Sequence, residues 1–482
     1  MDFKNLPAAG AMCGEKCVSL RACFKFIMAG KQKVINPTVT NLFSGAGGVS
    51  YDAVQSSLGI KNTAIDFDDI PVSPDWAFDN IRSTEQLTHG YHRYPAKFLP
   101  NVVKKIIEDY SPANCNVIAD LFAGCGTTLV EAKVHGKRSI GTDINPVAQL
   151  ITRVKTTPII PEILQQAYEN LISQFDVFNG ANYSDIQKHE RLDYWFLPQE
   201  KAKIAFLFDK VHELKAEDTT KEFFYVCISH ILKNCSRWLQ SSTKPQVDPN
   251  KNIPNPFDEF KRHCHKMMKS NEEFYNELNK KGYLDVPCDI LLKDARQTKL
   301  KSESVDMIIT SPPYVTSYEY ADIHQLTAYW MEFVSSMSEF RKQFIGTSYS
   351  GNTSLEVKGS KQAQDIVYAL AKKSKHIAQD VAQYFNDMQD VATEMARVLV
   401  PDGHACIVIG NTKIKDVNIK SAEVFCEFLK NAGLHRIEVI KRSIPHKLMP
   451  TLRDVKTGQF TKLDNPNCKK VYPNEYVVIM KK

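Results

Sequence analysis

Three segments predict a doubly wound, mostly parallel α/β sheet that is interrupted by a block of helices. The first is Asn116-Val117-Ile118-Ala119-Asp120-Leu121-Phe122, an apolar run of strand length. It passes into Ala123-Gly124-Cys125-Gly126-Thr127-Thr128 and then into the helix-like Leu129-Val130-Glu131-Ala132. The second is Arg138-Ser139-Ile140-Gly141-Thr142, which ends at Asp143. The third is Val305-Asp306-Met307-Ile308-Ile309-Thr310, which ends at Ser311-Pro312-Pro313-Tyr314. Apolar strands alternating with helices are the pattern of a parallel sheet covered on both faces.

Along the chain, residues 1–85 carry apolar and glycine-containing stretches without a sustained period and are read as an N-terminal extension of unclear role. Residues 86–155 and 284–482 carry the strand and helix alternation and form one α/β domain. Between them, residues 156–283 change character. Ile163 to Phe175, Lys201 to Leu214, Lys221 to Leu239 and Phe257 to Leu278 place apolar residues at helical spacing, which predicts a helical insertion. Strands return at Asp289-Ile290-Leu291-Leu292, are broken by a polar stretch from Phe340 to about Lys375, and finish with Glu475-Tyr476-Val477-Val478-Ile479-Met480 as an antiparallel edge strand.

The glycines after the first strand let the backbone approach a ligand closely and aim a helix N-terminus at it. The loop is not the pyrophosphate fingerprint, because Thr127 and Thr128 follow Gly126, and no P-loop lysine follows. Asp143, at the tip of the second strand and ahead of Ile144-Asn145-Pro146, stands where a ribose diol is bound in doubly wound folds. Together these features favour an adenosyl cofactor without phosphates.

Each proline of Ser311-Pro312-Pro313-Tyr314 fixes φ and removes an N–H, so the strand delivers a stiff, solvent-facing loop. It presents carbonyl acceptors, a hydroxyl and a flat ring. Those groups suit an exocyclic base amine, which offers two N–H donors and a π face once the base is flipped from the helix. The chemistry suggested is methylation of a nucleobase amino group.

In that order, D-L-F-A-G-C-G-T-T, G-T-D-I-N-P and S-P-P-Y resemble the DNA amino-methyltransferases, which use S-adenosylmethionine to make N4-methylcytosine or N6-methyladenine. The resemblance implies a Rossmann-like class I methyltransferase sheet. It places Tyr94, Pro95, Ala96 and Lys97, within His92-Arg93-Tyr94-Pro95-Ala96-Lys97-Phe98, over the methionine end of the cofactor. Asp120, Phe122, Ala123, Gly124, Gly126, Thr127 and Thr128 would wrap the aminoacyl end, Asp143, Ile144 and Asn145 the ribose side, and Asp294 and Ala295 the adenine. Ser311, Pro312, Pro313 and Tyr314 would be catalytic, with Ser311 and the Pro312 carbonyl accepting from the amino group and Tyr314 stacking on the base. Serine at position 311 points to the N4 amino group of cytosine, with N6-adenine as the alternative. An RNA amino-methyltransferase and a catalytically inactive DNA-binding adaptor are the other classes that the same motifs admit.

Bulk properties agree. The chain has 482 residues and a net charge of +6, compatible with a polyanionic partner. Double-stranded DNA is the expected partner, together with a cognate restriction endonuclease. The chain holds no apolar run of transmembrane length and no secretory leader at Met1-Asp2-Phe3-Lys4-Asn5, and twelve scattered cysteines suit a reducing compartment, so a prokaryotic cytoplasm is expected. A cofactor-binding sheet needs no helical insertion to hold its ligand, so target recognition is assigned there. Within it, Lys233-Asn234-Cys235-Ser236-Arg237-Trp238 through Lys244 mixes cations, hydroxyls and an aromatic, as phosphate-contacting surfaces do, with Arg237 and Lys244 as the contacts. Arg341, Lys342, Lys358, Lys361, Lys372, Lys373 and Lys375 form a rival basic stretch. Cys227, His230, Cys235, His263, Cys264 and His265 lack paired zinc spacing, and no metal is expected. Asn41 to Gly48, Asn-Leu-Phe-Ser-Gly-Ala-Gly-Gly, resembles the cofactor loop of C5-cytosine methyltransferases but is assigned no function.

Overall fold

The computed structural model describes residues 66–79, 81, 83–183, 189–315, 319–444, 452–454, 461, 464–470 and 474–482. All of them lie in one compact unit, Asn62–Lys482. The Asn41 to Gly48 segment lies outside the described residues.

The strands are β1 (Val117–Asp120), β2 (Arg138–Asp143), β3 (Cys288–Leu292), β4 (Val305–Thr310), β5 (Leu399–Ile409), β6 (Thr412–Ile414), β7 (Val417–Ile419), β8 (His435–Ser443), β9 (Leu452–Asp454), β10 (Cys468–Lys470) and β11 (Asn474–Lys481). Seven of them form one sheet in the order β3-β2-β1-β4-β5-β11-β8, and β6-β7 and β9-β10 are separate two-stranded pairs. β1 to β5 run parallel, and β11 pairs antiparallel with both β5 and β8. The C-terminal strand is therefore not an edge strand, as its sequence position suggested. It fills the slot between β5 and β8.

Both faces of the central strands are buried, and their residues alternate between two cores, as the period of two requires. Met307 and Ile309, Cys406 and Val408, and Val477 and Ile479 join Val102, Val103, Ile106 and Ile107 of the helix Pro100–Tyr110 on one face. Ile308, Ala405, Ile407, Tyr476 and Val478 join the helices Lys361–Ala371, Lys375–Val398 and Ser421–Asn431 on the other. Residues ahead of position 86 take part: Phe67 and Trp76 sit in these two cores, and Val72 bridges Lys441 of β8. The α/β body thus begins earlier than the boundary at residue 85 that the sequence suggests.

Between β2 and β3 the chain is helical: Pro161–Ile172, Arg191–Trp195, Pro198–Glu213, Asp218–Leu232 and Pro256–Lys281. These helices share an aromatic core with Val147, Ile151 and Val154 of the helix Pro146–Thr156, which follows β2. The longest has strong end signals. Asn255 accepts from the Phe257 N–H at 3.1 Å, Pro256 occupies the first turn, and Gly282 stops the helix at φ 72°. The helix expected from Lys221 to Leu239 ends at Leu232 instead, and the chain turns so that Trp238 is buried against Trp195, with ring centroids 5.0 Å apart.

Candidate active site

β2 and β3 extend the sheet to one side of β1 and β4 begins its other side, so the topology reverses between β1 and β4. Ligands of open α/β sheets bind outside the carboxyl ends of the strands at such a point. The residues there are Asp120 at the tip of β1, Asp143 at the tip of β2, and Thr310, which leads into Ser311, at the tip of β4.

The tips are tied together. Asp120 accepts from the Thr310 hydroxyl at 2.6 Å and from the Phe122 N–H at 3.0 Å. Asp143 accepts from the Gly124 N–H at 2.9 Å and from the Asn145 N–H at 2.8 Å. Burial outweighs these hydrogen bonds and pushes each carboxyl up to about 6. The glycine loop is clamped from the helix Pro146–Thr156: Thr152 donates to the Gly124 carbonyl at 2.9 Å and Lys155 to the Cys125 carbonyl at 2.6 Å. Gly126 has φ 77°, and a Cβ there would sit 2.7 Å from the Thr152 methyl, so both conformation and space require glycine.

Above the tips lies a cleft of ≈ 870 Å³, counting the open solvent at its mouth. Of the residues predicted from the sequence, it brings together Tyr94, Ala96, Lys97, Asp120, Phe122, Ala123, Gly124, Thr127, Asp143, Ile144, Asp294, Ala295, Ser311 and Pro313. Six others lie outside its walls. Pro95 adjoins it in sequence, Gly126 faces Thr152, and Thr128 is buried, donating to the Ile309 carbonyl at 3.3 Å. Asn145 caps the helix Pro146–Thr156 and pairs with His324 at 2.9 Å. Pro312 is buried, and Tyr314 points its hydroxyl at Glu475, 3.1 Å away. The loop expected to face solvent is therefore packed into the body: only Ser311 and Pro313 of its four residues line the cleft.

Phe98, Leu121, Cys125, Lys293, Tyr320, Gln343, Phe344 and Ile345 complete the walls. Tyr320 stacks on Tyr94 with centroids 5.9 Å apart, a pairing that spans two distant segments. Gln343 to Ile345 belong to the stretch read as a polar interruption, and nothing local in the sequence marks them as a wall. The Asp294 carboxylate is engaged by Arg296, which also reaches Asp387 at 2.7 Å, so Asp294 faces the cleft as part of an ion-pair cluster.

The expected DNA segment of the insertion is more internal than its composition suggests. Trp238 and Cys235 are buried, and Lys233 donates to the carbonyls of Gln240 and Ser242. Arg237 is half-buried and donates to the Tyr194 carbonyl at 3.4 Å, whereas Lys244 is exposed. His230 and His263 stack with centroids 3.5 Å apart, and among the described residues no group of three or more His, Cys, Asp or Glu side chains could hold a metal.

This sheet, with its antiparallel seventh strand slotted beside β5 and its crevice at the switch point, is that of a class I methyltransferase. The chain belongs to the DNA methylase family, whose model matches residues 50–153 and 305–482. It is 28% identical over 395 residues to the type II methyltransferase M.MvaI of Kocuria varians, covering 77% of this chain and 87% of that protein. It is 22% identical over 457 residues to the type II methyltransferase M.MjaII of Methanocaldococcus jannaschii, covering 76% and 81%. It is also 22% identical over 385 residues to the type II methyltransferase M.BsoBI of Geobacillus stearothermophilus, covering 68% and 75%.

S-adenosylmethionine is the cofactor, and the crevice suits it. Gly124 has φ 51° and lies in van der Waals reach of the Tyr94 ring, so the loop backbone faces the crevice without a side chain. A buried carboxylate, Asp120, and a half-buried one, Asp143, stand at adjacent strand tips, and Phe122, Ile144 and Ile345 supply apolar wall. A diol, a sulfonium and ammonium, and a flat base find matching chemistry in that set. Among the described residues, no helix is long and apolar enough to cross a membrane.

Proposed function

We propose that this protein methylates the N4 amino group of cytosine within a specific sequence of double-stranded DNA, as the modification half of a restriction–modification system. The observation that carries this reading is the position of Ser311, a serine in place of an acidic or amide residue, in the wall of the cleft beside Asp120 and Asp143. The type II relatives support the restriction–modification setting.

The amino nitrogen of cytosine is a weak nucleophile because its lone pair is delocalised into the ring. Ser311 and the Pro312 carbonyl accept its two N–H bonds and draw the nitrogen toward tetrahedral geometry, which exposes the lone pair. Tyr314 stacks on the extruded base, a contact of ~1–3 kcal/mol. Tyr94, Ala96 and Lys97 would cover the aminoacyl end of the cofactor, Asp120 and the loop from Phe122 to Thr127 would wrap it, and Asp143 would accept from the ribose diol. S-adenosylmethionine supplies an electrophilic methyl group. The chain's contribution is placement, since orienting two reactants in one crevice supplies much of the rate.

The test is product identity. Incubation with labelled cofactor and DNA, followed by digestion to nucleosides, is expected to give N4-methylcytosine. Label in N6-methyladenine would replace the base while keeping the amino-methyltransferase, and label in 5-methylcytosine alone would overturn the reading.

The helical insertion is assigned to target recognition, with Arg237 and Lys244 contacting phosphates. Neutralising both should flatten the dependence of DNA affinity on salt by up to about two units of slope, because each phosphate contact releases roughly one condensed counterion. Cofactor affinity should stay the same. Filter binding across a salt series measures this, and an unchanged slope would move the contacts to the stretch from Phe340 to Lys375.

A further inference from the structure

Three neighbouring strands place a row of groups behind Tyr314. Glu475, on β11, is the register partner of Arg442 on β8, and the next β11 residue, Tyr476, pairs with Ile409 of β5. Glu475 is thereby level with Gly410, just past the end of β5. Tyr314 comes from the loop after β4, the other neighbour of β5. The row therefore crosses the carboxyl end of the sheet from the catalytic loop to the outermost strand.

The contacts along it are continuous. The Tyr314 hydroxyl donates to one oxygen of Glu475 at 3.1 Å, and Arg442 donates to the other. Arg442 is 2% exposed, and its Nε donates to the Trp76 carbonyl at 2.8 Å, which fixes the guanidinium from behind. One edge of the Tyr314 ring abuts Gly410, where a Cβ would sit 2.9 Å from it. Burial, and after it the Glu475 charge, hold the phenol well above its usual range, so the hydroxyl stays a donor. Burying an ion pair is a poor way to gain stability, since desolvation cancels most of the attraction. A charged pair spent on orienting one phenol calls for another purpose.

We propose that Glu475, backed by Arg442, is a positioning residue for base capture: it sets the rotation and depth of the Tyr314 ring that receives the extruded base. This rests on the reading of Tyr314 as the stacking ring. Gly410 leaves room for the edge of the ring, and the carboxylate anchors its hydroxyl end.

The experiment compares Tyr314→Phe, Glu475→Gln, their double variant and Tyr314→Ala by steady-state methylation of polymerase-amplified genomic DNA, with cofactor affinity measured by calorimetry. Tyr314→Phe keeps the ring and leaves the Glu475–Arg442 pair in place, so it reads the relay even if Glu475→Gln does not fold. Tyr314→Phe and Glu475→Gln are each expected to lower kcat/KM for DNA about 10-fold, the scale of one hydrogen bond to a charged group. The double variant should be no worse than either single one, and cofactor affinity should stay within about 2-fold. Parent-like activity of Tyr314→Phe or Glu475→Gln alongside a crippled Tyr314→Ala would overturn the relay and keep the stacking ring. Additive losses in the double variant would also overturn it. Parent-like activity of Tyr314→Ala would remove the stacking reading itself.

Discussion

Ser311→Ala is expected to slow methylation by about 10²- to 10³-fold, the range seen when one preorganised hydrogen-bonding partner of a reacting group is removed. Ser311 lines the cleft from the tip of β4 and is only half-buried, so losing its hydroxyl should leave the fold and cofactor affinity intact. Single-turnover methylation with saturating cofactor isolates the effect from binding. Pro312→Ala should act in the same direction, by loosening the carbonyl proposed to accept the second N–H. A Ser311→Ala rate within a few-fold of the parent would take the hydroxyl out of the reaction.

Asp143→Ala is expected to weaken S-adenosylmethionine binding by about 10- to 150-fold, since a diol would lose a charged acceptor worth ~1.5–3 kcal/mol. The pH dependence supplies an independent check. Burial raises the Asp143 carboxyl to about 6, above the ~3.9 of an unfolded chain, so the folded protein takes up this proton more readily. As pH falls through 6 the acceptor charge is lost, and cofactor affinity should decline in the parent but not in Asp143→Ala. The same proton stabilises the cofactor-free fold: this group's contribution to stability is complete below pH 4 and disappears as pH rises past 6. Calorimetric titrations of both proteins between pH 5 and 8 measure the first effect. Parallel curves would remove Asp143 from the ribose.

What could be read from the sequence is what is encoded locally. Val305 to Thr310 and Asn116 to Phe122 are apolar over a strand's length because both faces of their strands are covered, and the tips where they end carry the residues that face the cleft. Gly124 and Gly126 announce a tight loop, and at Gly126 only glycine fits. What could not be read is set by distant partners. Glu475 to Met480 read as a strand, yet nothing within it says that β5 and β8 flank it. Trp238 sits among lysine, arginine and serine, a composition shared by a phosphate-binding surface and by a turn that tucks an aromatic under Trp195. Gln343 to Ile345 became a wall of the cleft through the path of the chain, with no pattern of their own. The anchoring of Tyr314 by Glu475 joins segments far apart in the chain and leaves no local mark in either.

The interposed position of β11 bears on how the chain is made. β5 and β8 leave the ribosome before the strand that joins them. While residues 444–473 are being synthesised, β8 has no partner strand in the sheet among the described residues, and β5 carries an open row of N–H and C=O groups of the kind that recruits other chains. At ~5–20 residues per second that interval lasts on the order of seconds. Closure then depends on a long-range pairing, which is slow to form. A nascent chain at this stage can already hold the glycine loop and both strand-tip carboxylates, but it lacks the residue that anchors Tyr314. Maturation of the catalytic end therefore waits on the last strand to be added.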